Sequence, residues 1–160
     1  MKEDTDLGSM QENMLFNPFM LGFDYANSVD SEKYRCYVFL VGVIRELLDE
    51  CRINISSKGY LYIQDCVITI FDQRTMNIRF KTDVYPYVAY KYGVKDASNI
   101  EHSIRNAIVA AYKLNESDTY HSSSIMNYFG KRPTNKEFLL YMTGEVYRRL
   151  WNESVEFVRL

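Results

Sequence analysis

The sequence lacks the long apolar run that a membrane-spanning helix requires. No window of its 160 residues reaches the roughly 18 consecutive apolar residues of such a helix. The first ten residues are acidic, so the basic segment that opens a secretory signal peptide is missing too. We therefore expect a cytoplasmic protein with no membrane partner.

Cysteine and histidine are scarce. Cys36, Cys51 and Cys66 are spread evenly without a Cys-x-x-Cys pair, which indicates reduced thiols rather than a metal or redox site. The two histidines, His102 and His121, have no third ligand at helical or loop spacing. No metal site is predicted.

The patterns typical of enzyme active sites are also missing. The sequence has no glycine-rich phosphate loop, no Ser-His-Asp arrangement and no pair of carboxylates that rises above background. The three serines at 122–124 indicate a polar turn or a helix cap rather than a nucleophile. We expect neither enzymatic activity nor a cofactor.

What is present is enough apolar material for a core and an uneven distribution of charge. Hydrophobic residues make up 47% of the chain, and the net charge is −2. Residues 1–57 carry ten acidic and five basic residues, whereas residues 58–151 carry nine acidic and 13 basic residues. The distribution is more informative than the total, because the positive charge is concentrated on one part of the chain.

The charge and the breaker residues predict two segments. Residues 1–33 form an acidic, partly flexible N-terminal arm, and residues 34–160 form a helical domain. The apolar stretch at 14–25 either packs on that domain as an irregular arm or docks on a partner protein.

Helical periodicity is clear in some stretches and ambiguous in one. Apolar residues recur at helical spacing over 34–51, which predicts a helix. Residues 58–72 are rich in β-branched and aromatic residues, as in a strand, but Tyr60, Ile63 and Val67 also match one face of a helix. Thr134 and Glu137 have the spacing of a capping box and predict the start of the last helix.

Residues 83–113 predict two helices joined by a tight turn. Asp83 is the expected N-cap of the first helix, and Gly93 ends it in the left-handed conformation. Ser98, with Glu101 three residues later, is expected to begin the second helix. Ala89, four residues before Gly93, faces the crossing of the two helices, as in a helix-turn-helix.

The second of these helices has an apolar stripe and a polar face in its first half. In a helix-turn-helix that half enters the major groove, where Arg, Asn and Glu side chains recognise base edges. The residues predicted to contact bases are Ser98, Asn99, Glu101, His102, Arg105 and Asn106. Those predicted to contact phosphates are Lys91, Lys95, Lys131, Arg132, Thr134, Asn135 and Lys136. For Glu101, capping of its own helix is an equal alternative, and both roles are compatible.

Four blocks of the sequence also carry a family resemblance. They are SSKGYLYIQDCV, DVYPYVAYKYG, SNIEHSIRNAI and KRPTNKEF, in that order. Together they resemble the C-terminal effector domain of the master response regulators of sporulation, the stage zero sporulation protein A family. The resemblance covers about residues 44–150. It implies an all-α compact domain of about six helices that contains a helix-turn-helix, with residues 58–72 helical and DNA bound by the helix at 98–113.

The resemblance also assigns roles to particular residues. Glu101 and Arg105 match the recognition helix of the family. Lys131 or Arg132, followed by Pro133, Thr134 and Asn135, matches a block that approaches phosphates. The family binds adjacent DNA sites, which implies a head-to-tail homodimer on DNA.

The sequence departs from the family pattern in four places. His102 stands where the family usually has arginine, and Asn106 where it usually has histidine; both bear on which DNA sequence is recognised. The turn between the two helices is slightly longer, and the loop at 130–131 is several residues shorter. About 40 residues precede Ile44 without an alternating strand-helix pattern, so no receiver domain and no phosphoacceptor aspartate are expected.

Two hypotheses about function follow. The first is a sequence-specific transcriptional regulator whose partner is double-stranded DNA. The second is a helical interaction module that does not bind DNA, but pairs through its N-terminal arm with a full-length regulator and modulates it. The acidic residues of 1–57 and the differences at His102 and Asn106 motivate the second hypothesis.

Overall fold

The computed structural model describes residues 31–73 and 77–158, which contain helices and no strand. Its helices are α1 (Ser31–Glu50), α2 (Lys58–Gln73), α3 (Tyr85–Lys91), α4 (Ala97–Ser117), α5 (Ser124–Tyr128) and α6 (Asn135–Val158), and a π-helical turn, Phe80–Val84, precedes α3. The prediction of an all-α protein with about six helices is confirmed. The strand alternative for residues 58–72 is wrong, because these residues form α2.

The chain divides between Leu40 and Val41 into two units. Of the first unit, the helical residues 31–40 are described. The predicted acidic arm therefore lies, except for residues 31–33, outside the described residues, as does the whole apolar stretch at 14–25. The boundary predicted at residue 33 stays a prediction.

Helix α2 is the central element of the second unit. Ten of its 16 residues are buried, and it packs against both α4 and α6. Ile63, Cys66 and Val67 are completely buried. A helix that is covered on most sides has apolar residues around most of its circumference. This explains why the periodicity of residues 58–72 was ambiguous.

Gly59 allows α2 to approach α4 closely. A Cβ atom at this position would lie 2.4 Å from the main-chain oxygen of Ser103 and 2.6 Å from the Cβ of Ala107. Both distances are shorter than any normal contact, so the crossing requires a residue without a side chain. Gly59 thus sets the distance between the central helix and α4.

Helix α3 ends as predicted but begins differently. Its N-cap is Val84, and the carboxylate of Asp83 instead contacts the hydroxyl of Thr82 at 3.0 Å. At the other end Gly93 has φ +64°. The amide of Val94 donates to the carbonyl of Ala89 at 2.8 Å, which together with the Gly93 conformation forms a Schellman motif. The predicted role of Gly93 is confirmed, whereas the predicted Asp83 cap is wrong.

Helix α6 begins with the predicted capping box. The amide of Thr134 donates to the Glu137 carboxylate at 2.7 Å, and the amide of Glu137 donates to the Thr134 hydroxyl at 3.2 Å. The helix continues to Val158. Its inner face is completely buried at Phe138 and Met142. None of the described helices is long and apolar enough to cross a membrane.

Candidate nucleic-acid interface

The start of α4 is capped by Asp96. Its side chain accepts a hydrogen bond from the amide of Ser98 at 2.8 Å, so the predicted cap at Ser98 is wrong and Ser98 lies inside the helix. The hydrogen bonds from Ser98, and to a smaller extent the nearby His102, lower the pKa of Asp96. An ionised carboxylate therefore stands at the end of α4 that is predicted to approach DNA.

The first half of α4 has the predicted division into a buried and an exposed face. Ile100, Ile104 and Ile108 are buried against the core. On the opposite side lie the predicted base-contacting residues, of which Glu101 is half-buried and the others are exposed: Ser98, Asn99, Glu101, His102, Arg105 and Asn106. At 3.6 residues per turn these six residues share an arc of roughly 160°. They form one continuous surface, and we call these six residues the α4 face.

Within the α4 face, Glu101 and Arg105 form an ion pair one helical turn apart. The nearest atoms, Nη2 of Arg105 and Oε1 of Glu101, are 3.4 Å apart, and the Arg105 side chain is 56% exposed. Such an exposed pair contributes little to stability, so the guanidinium can exchange its partner at small cost. Glu101 does not cap α4, because Asp96 occupies that role.

The start of α6 is joined to the first half of α4. The side-chain amide of Asn135 donates to the main-chain carbonyl of Glu101 at 2.8 Å, and Asn135 is only 8% exposed. Tyr85 of α3 also bonds the Asn135 side chain, and burial raises the pKa of Tyr85 to about 12. Residues 131–136 are therefore held beside the α4 face.

Some basic side chains of the second unit are held in ion pairs, and others are exposed without one. Arg52, Arg148 and Arg149 are all held in ion pairs with acidic residues. Seven exposed cations take part in no ion pair within the described ranges. Three of them are Lys58, Lys81 and Lys113, and the other four are Lys95, Lys131, Arg132 and Lys136. We call these four residues the basic group; all of them belong to the predicted phosphate-contacting set.

Lys91 and Asn135, also predicted to contact phosphates, are placed differently. The Nζ of Lys91 lies 3.0 Å from Oδ1 of Asp65, and the two side chains are 12% and 1% exposed. Asn135 is bonded to Glu101. Their phosphate contacts stay predictions, but the polar groups of both residues are engaged in holding the fold together.

One cation near this surface is not singled out by the sequence as a DNA contact. Arg79 lines a groove of about 570 Å³ together with Lys136, at the junction of residues 77–80 and α6. The signal available in the sequence is its place in a basic connection between α2 and α3. Among the described residues, no group of three or more His, Cys, Asp and Glu side chains is arranged to hold a metal ion.

A comparison with protein families gives a match over residues 44–146 to the family described as sporulation initiation factor Spo0A C terminal. The match covers more than half of the chain. The chain belongs to this family. Members are DNA-binding regulatory domains of sporulation and transcription, rather than enzymes. No solved structure matches the chain.

The matched range contains the whole candidate interface. It includes α2 to α5, with the α4 face, and the first half of α6, with Lys136. The helix-turn-helix formed by α3 and α4 is therefore part of a Spo0A C-terminal domain, and the resemblance predicted from the four sequence blocks is confirmed.

Proposed function

We propose that this Spo0A C-terminal domain regulates transcription by inserting α4 into the major groove of double-stranded DNA. The α4 face supplies groups that match base edges. Arg105 is suited to the O6 and N7 atoms of guanine, Asn99 and Asn106 to adenine. Glu101 is suited to accept a hydrogen bond from cytosine N4. Sequence specificity would come from these contacts.

The observation that carries the proposal is the hydrogen bond between Asn135 and Glu101. Contacts to bases specify a DNA sequence only when contacts to the DNA phosphates hold the protein in register on the duplex. The 2.8 Å bond ties the start of α6 to the α4 face. One rigid surface thus combines groups suited to bases with cations suited to phosphates.

The basic group and Thr134 are the proposed phosphate contacts. Cations that are not neutralised within the protein are available to replace counterions on DNA, and the apparent affinity then falls steeply with salt. For Lys91 and Asn135 we infer positioning roles, since their polar groups bond Asp65 and Glu101.

The test begins with selection of duplexes from random oligonucleotides at low salt. On the enriched duplex, Arg105→Ala is compared with Arg148→Ala in mobility shifts. Arg148 is a matched control, since its side chain is 57% exposed and paired with Glu145 in the same helix. Arg105→Ala should weaken binding by about 1–3 kcal/mol. Arg148→Ala should bind as the wild type does. Equal binding by Arg105→Ala and the wild type would remove the assigned role.

The alternative of an interaction module that does not bind DNA has one observation in its favour. The ionised carboxylate of Asp96 stands at the leading end of α4, where DNA phosphates would repel it. The positive end of the helix dipole opposes this repulsion, so we prefer DNA binding. The alternative would be supported if no duplex were enriched and the purified chain formed a complex with a purified full-length regulator.

The head-to-tail homodimer stays a prediction that the same duplex can test. Two copies of the enriched site, placed side by side, should be occupied cooperatively if neighbouring proteins touch. A second copy that binds with the affinity of the first would contradict contact between them.

A further inference from the structure

A groove separates the segment that leads into α3 from the beginning of α6. It has a volume of about 570 Å³ and is lined by Asn77, Ile78, Arg79, Phe80, Lys136 and Leu140. Residues 77–80 form one wall, and Lys136 and Leu140, one turn apart on α6, form the other.

Two cations share this groove. The Arg79 side chain is 77% exposed, and its Nε lies 3.4 Å from Oδ2 of Asp83. That distance is long for a charge-assisted hydrogen bond, and an exposed pair of this kind contributes little. Lys136 takes part in no ion pair within residues 31–73 and 77–158. Two like charges on one groove repel each other, and an anion between them would remove that cost.

The other lining residues indicate which kind of anion fits. Ile78, Phe80 and Leu140 add apolar surface, and Asn77 adds an amide. A free inorganic anion would leave the apolar walls uncovered. A sugar–phosphate chain presents charged oxygens and the carbon atoms of deoxyribose side by side, so it matches both kinds of wall.

The groove also lies next to the residue that joins α6 to the α4 face. Lys136 directly follows Asn135, whose side chain is bonded to the carbonyl of Glu101. A DNA strand leaving the bases next to α4 would pass the start of α6. We propose that the groove holds the sugar–phosphate backbone flanking the bases that α4 recognises, and that Arg79 is a further phosphate contact. This inference rests on the proposed function.

The experiment compares two duplexes made from the sequence enriched in the selection. One is trimmed to the base pairs whose identity the selection fixes, which are those that α4 is proposed to recognise, and the other extends the same core by about ten base pairs, one turn of DNA, on each side. Wild type, Arg79→Ala, Arg79→Lys and the control Arg148→Ala are titrated with both over a series of salt concentrations. Ethylation interference then locates the phosphates that matter.

The wild type should bind the extended duplex more tightly and with a steeper salt dependence. Arg79→Ala should lose most of the extra affinity for the extended duplex. The magnitude of its slope of log affinity against log salt should be smaller by about 0.9, the value for one phosphate. Arg79→Lys should keep the slope, since it keeps the charge. Arg148→Ala should behave as the wild type does on both duplexes.

Failure of the inference is distinguishable from failure of the proposed function. Suppose that Arg105→Ala weakens binding, but that Arg79→Ala keeps the extra affinity for the extended duplex and the salt dependence of the wild type. The groove then does not hold DNA, and the proposed function stands. If selection enriches no duplex, both are overturned. Loss of binding by Arg79→Ala on the trimmed duplex as well would contradict a flanking contact.

Discussion

Asn135 donates its side-chain amide to the main-chain carbonyl of Glu101 at 2.8 Å, across 34 positions of the sequence. A carbonyl oxygen inside a helix has a second lone pair beyond the one in its helical hydrogen bond. The Glu101 oxygen accepts the hydrogen bond from Asn135 with this second lone pair. The bond is shielded from water, because Asn135 is almost completely buried. It therefore determines where the basic residues at the start of α6 lie relative to the α4 face.

Replacing Asn135 with alanine should affect DNA binding more than stability. The substitution removes two hydrogen bonds, one with the Glu101 carbonyl and one with Tyr85, which should lower the free energy of unfolding by about 1–3 kcal/mol. DNA affinity should fall further, since Lys131, Arg132 and Lys136 lose their fixed position beside the α4 face. Asn127→Ala is the matched control, because it removes another asparagine bond, to Asn115, outside the interface. Urea unfolding and DNA titration of both variants test this; equal DNA affinities would contradict it.

Gly59→Ala should destabilise the protein, whereas Gly144→Ala should stabilise it. The new methyl group at 59 would overlap the Ser103 carbonyl oxygen, and relief by backbone shifts costs about 1–3 kcal/mol. At Gly144, inside α6, a Cβ meets nothing within 4 Å, and alanine should add up to about 1 kcal/mol through helix propensity. Urea midpoints measure both changes. An unchanged midpoint for Gly59→Ala would show that α2 and α4 separate easily.

Lys91→Met should be among the most damaging single changes. The carboxylate of Asp65 is 1% exposed, and neither oxygen has a hydrogen bond of good geometry among the described residues. The ammonium of Lys91, at 3.0 Å, is thus the main group that offsets the cost of burying the Asp65 carboxylate. Removing one member of a buried ion pair costs about 3–5 kcal/mol. The double variant Asp65→Asn/Lys91→Met should recover much of this loss; no recovery would mean that Lys91 stabilises by packing alone.

Acid stability should depend in part on Glu137. Hydrogen bonds from the Thr134 amide and hydroxyl lower the pKa of the Glu137 carboxyl below 4.5. A lowered folded-state pKa means that this contribution is present above pH 4.5 and is lost as the pH falls through the folded value. The difference in unfolding free energy between wild type and Glu137→Gln should therefore be constant near neutral pH and shrink in acid. Urea unfolding across that range measures it, and a difference independent of pH would contradict the assignment.

The α4 face is the part of the candidate site that the sequence predicted best. Helical periodicity separates buried from exposed positions, and the six predicted residues do lie on the side opposite Ile100, Ile104 and Ile108. The cap was less predictable, because Asp96 and Ser98 are both good capping residues two positions apart. The choice depends on where the chain emerges from the turn at Gly93.

Local patterns were sufficient for the helices, the Gly93 turn and the Thr134–Glu137 capping box, since each depends on residues within one or two turns of one another. For α2 the family resemblance was needed as well, because burial on most sides hides its periodicity. The partners of Lys91 and Asn135 and the groove at Arg79 depend on tertiary packing. A charged or amide side chain has the same local pattern whether it faces solvent, DNA or a buried partner, and only the packed helices bring Asp65 to Lys91, Glu101 to Asn135 and Arg79 to Lys136.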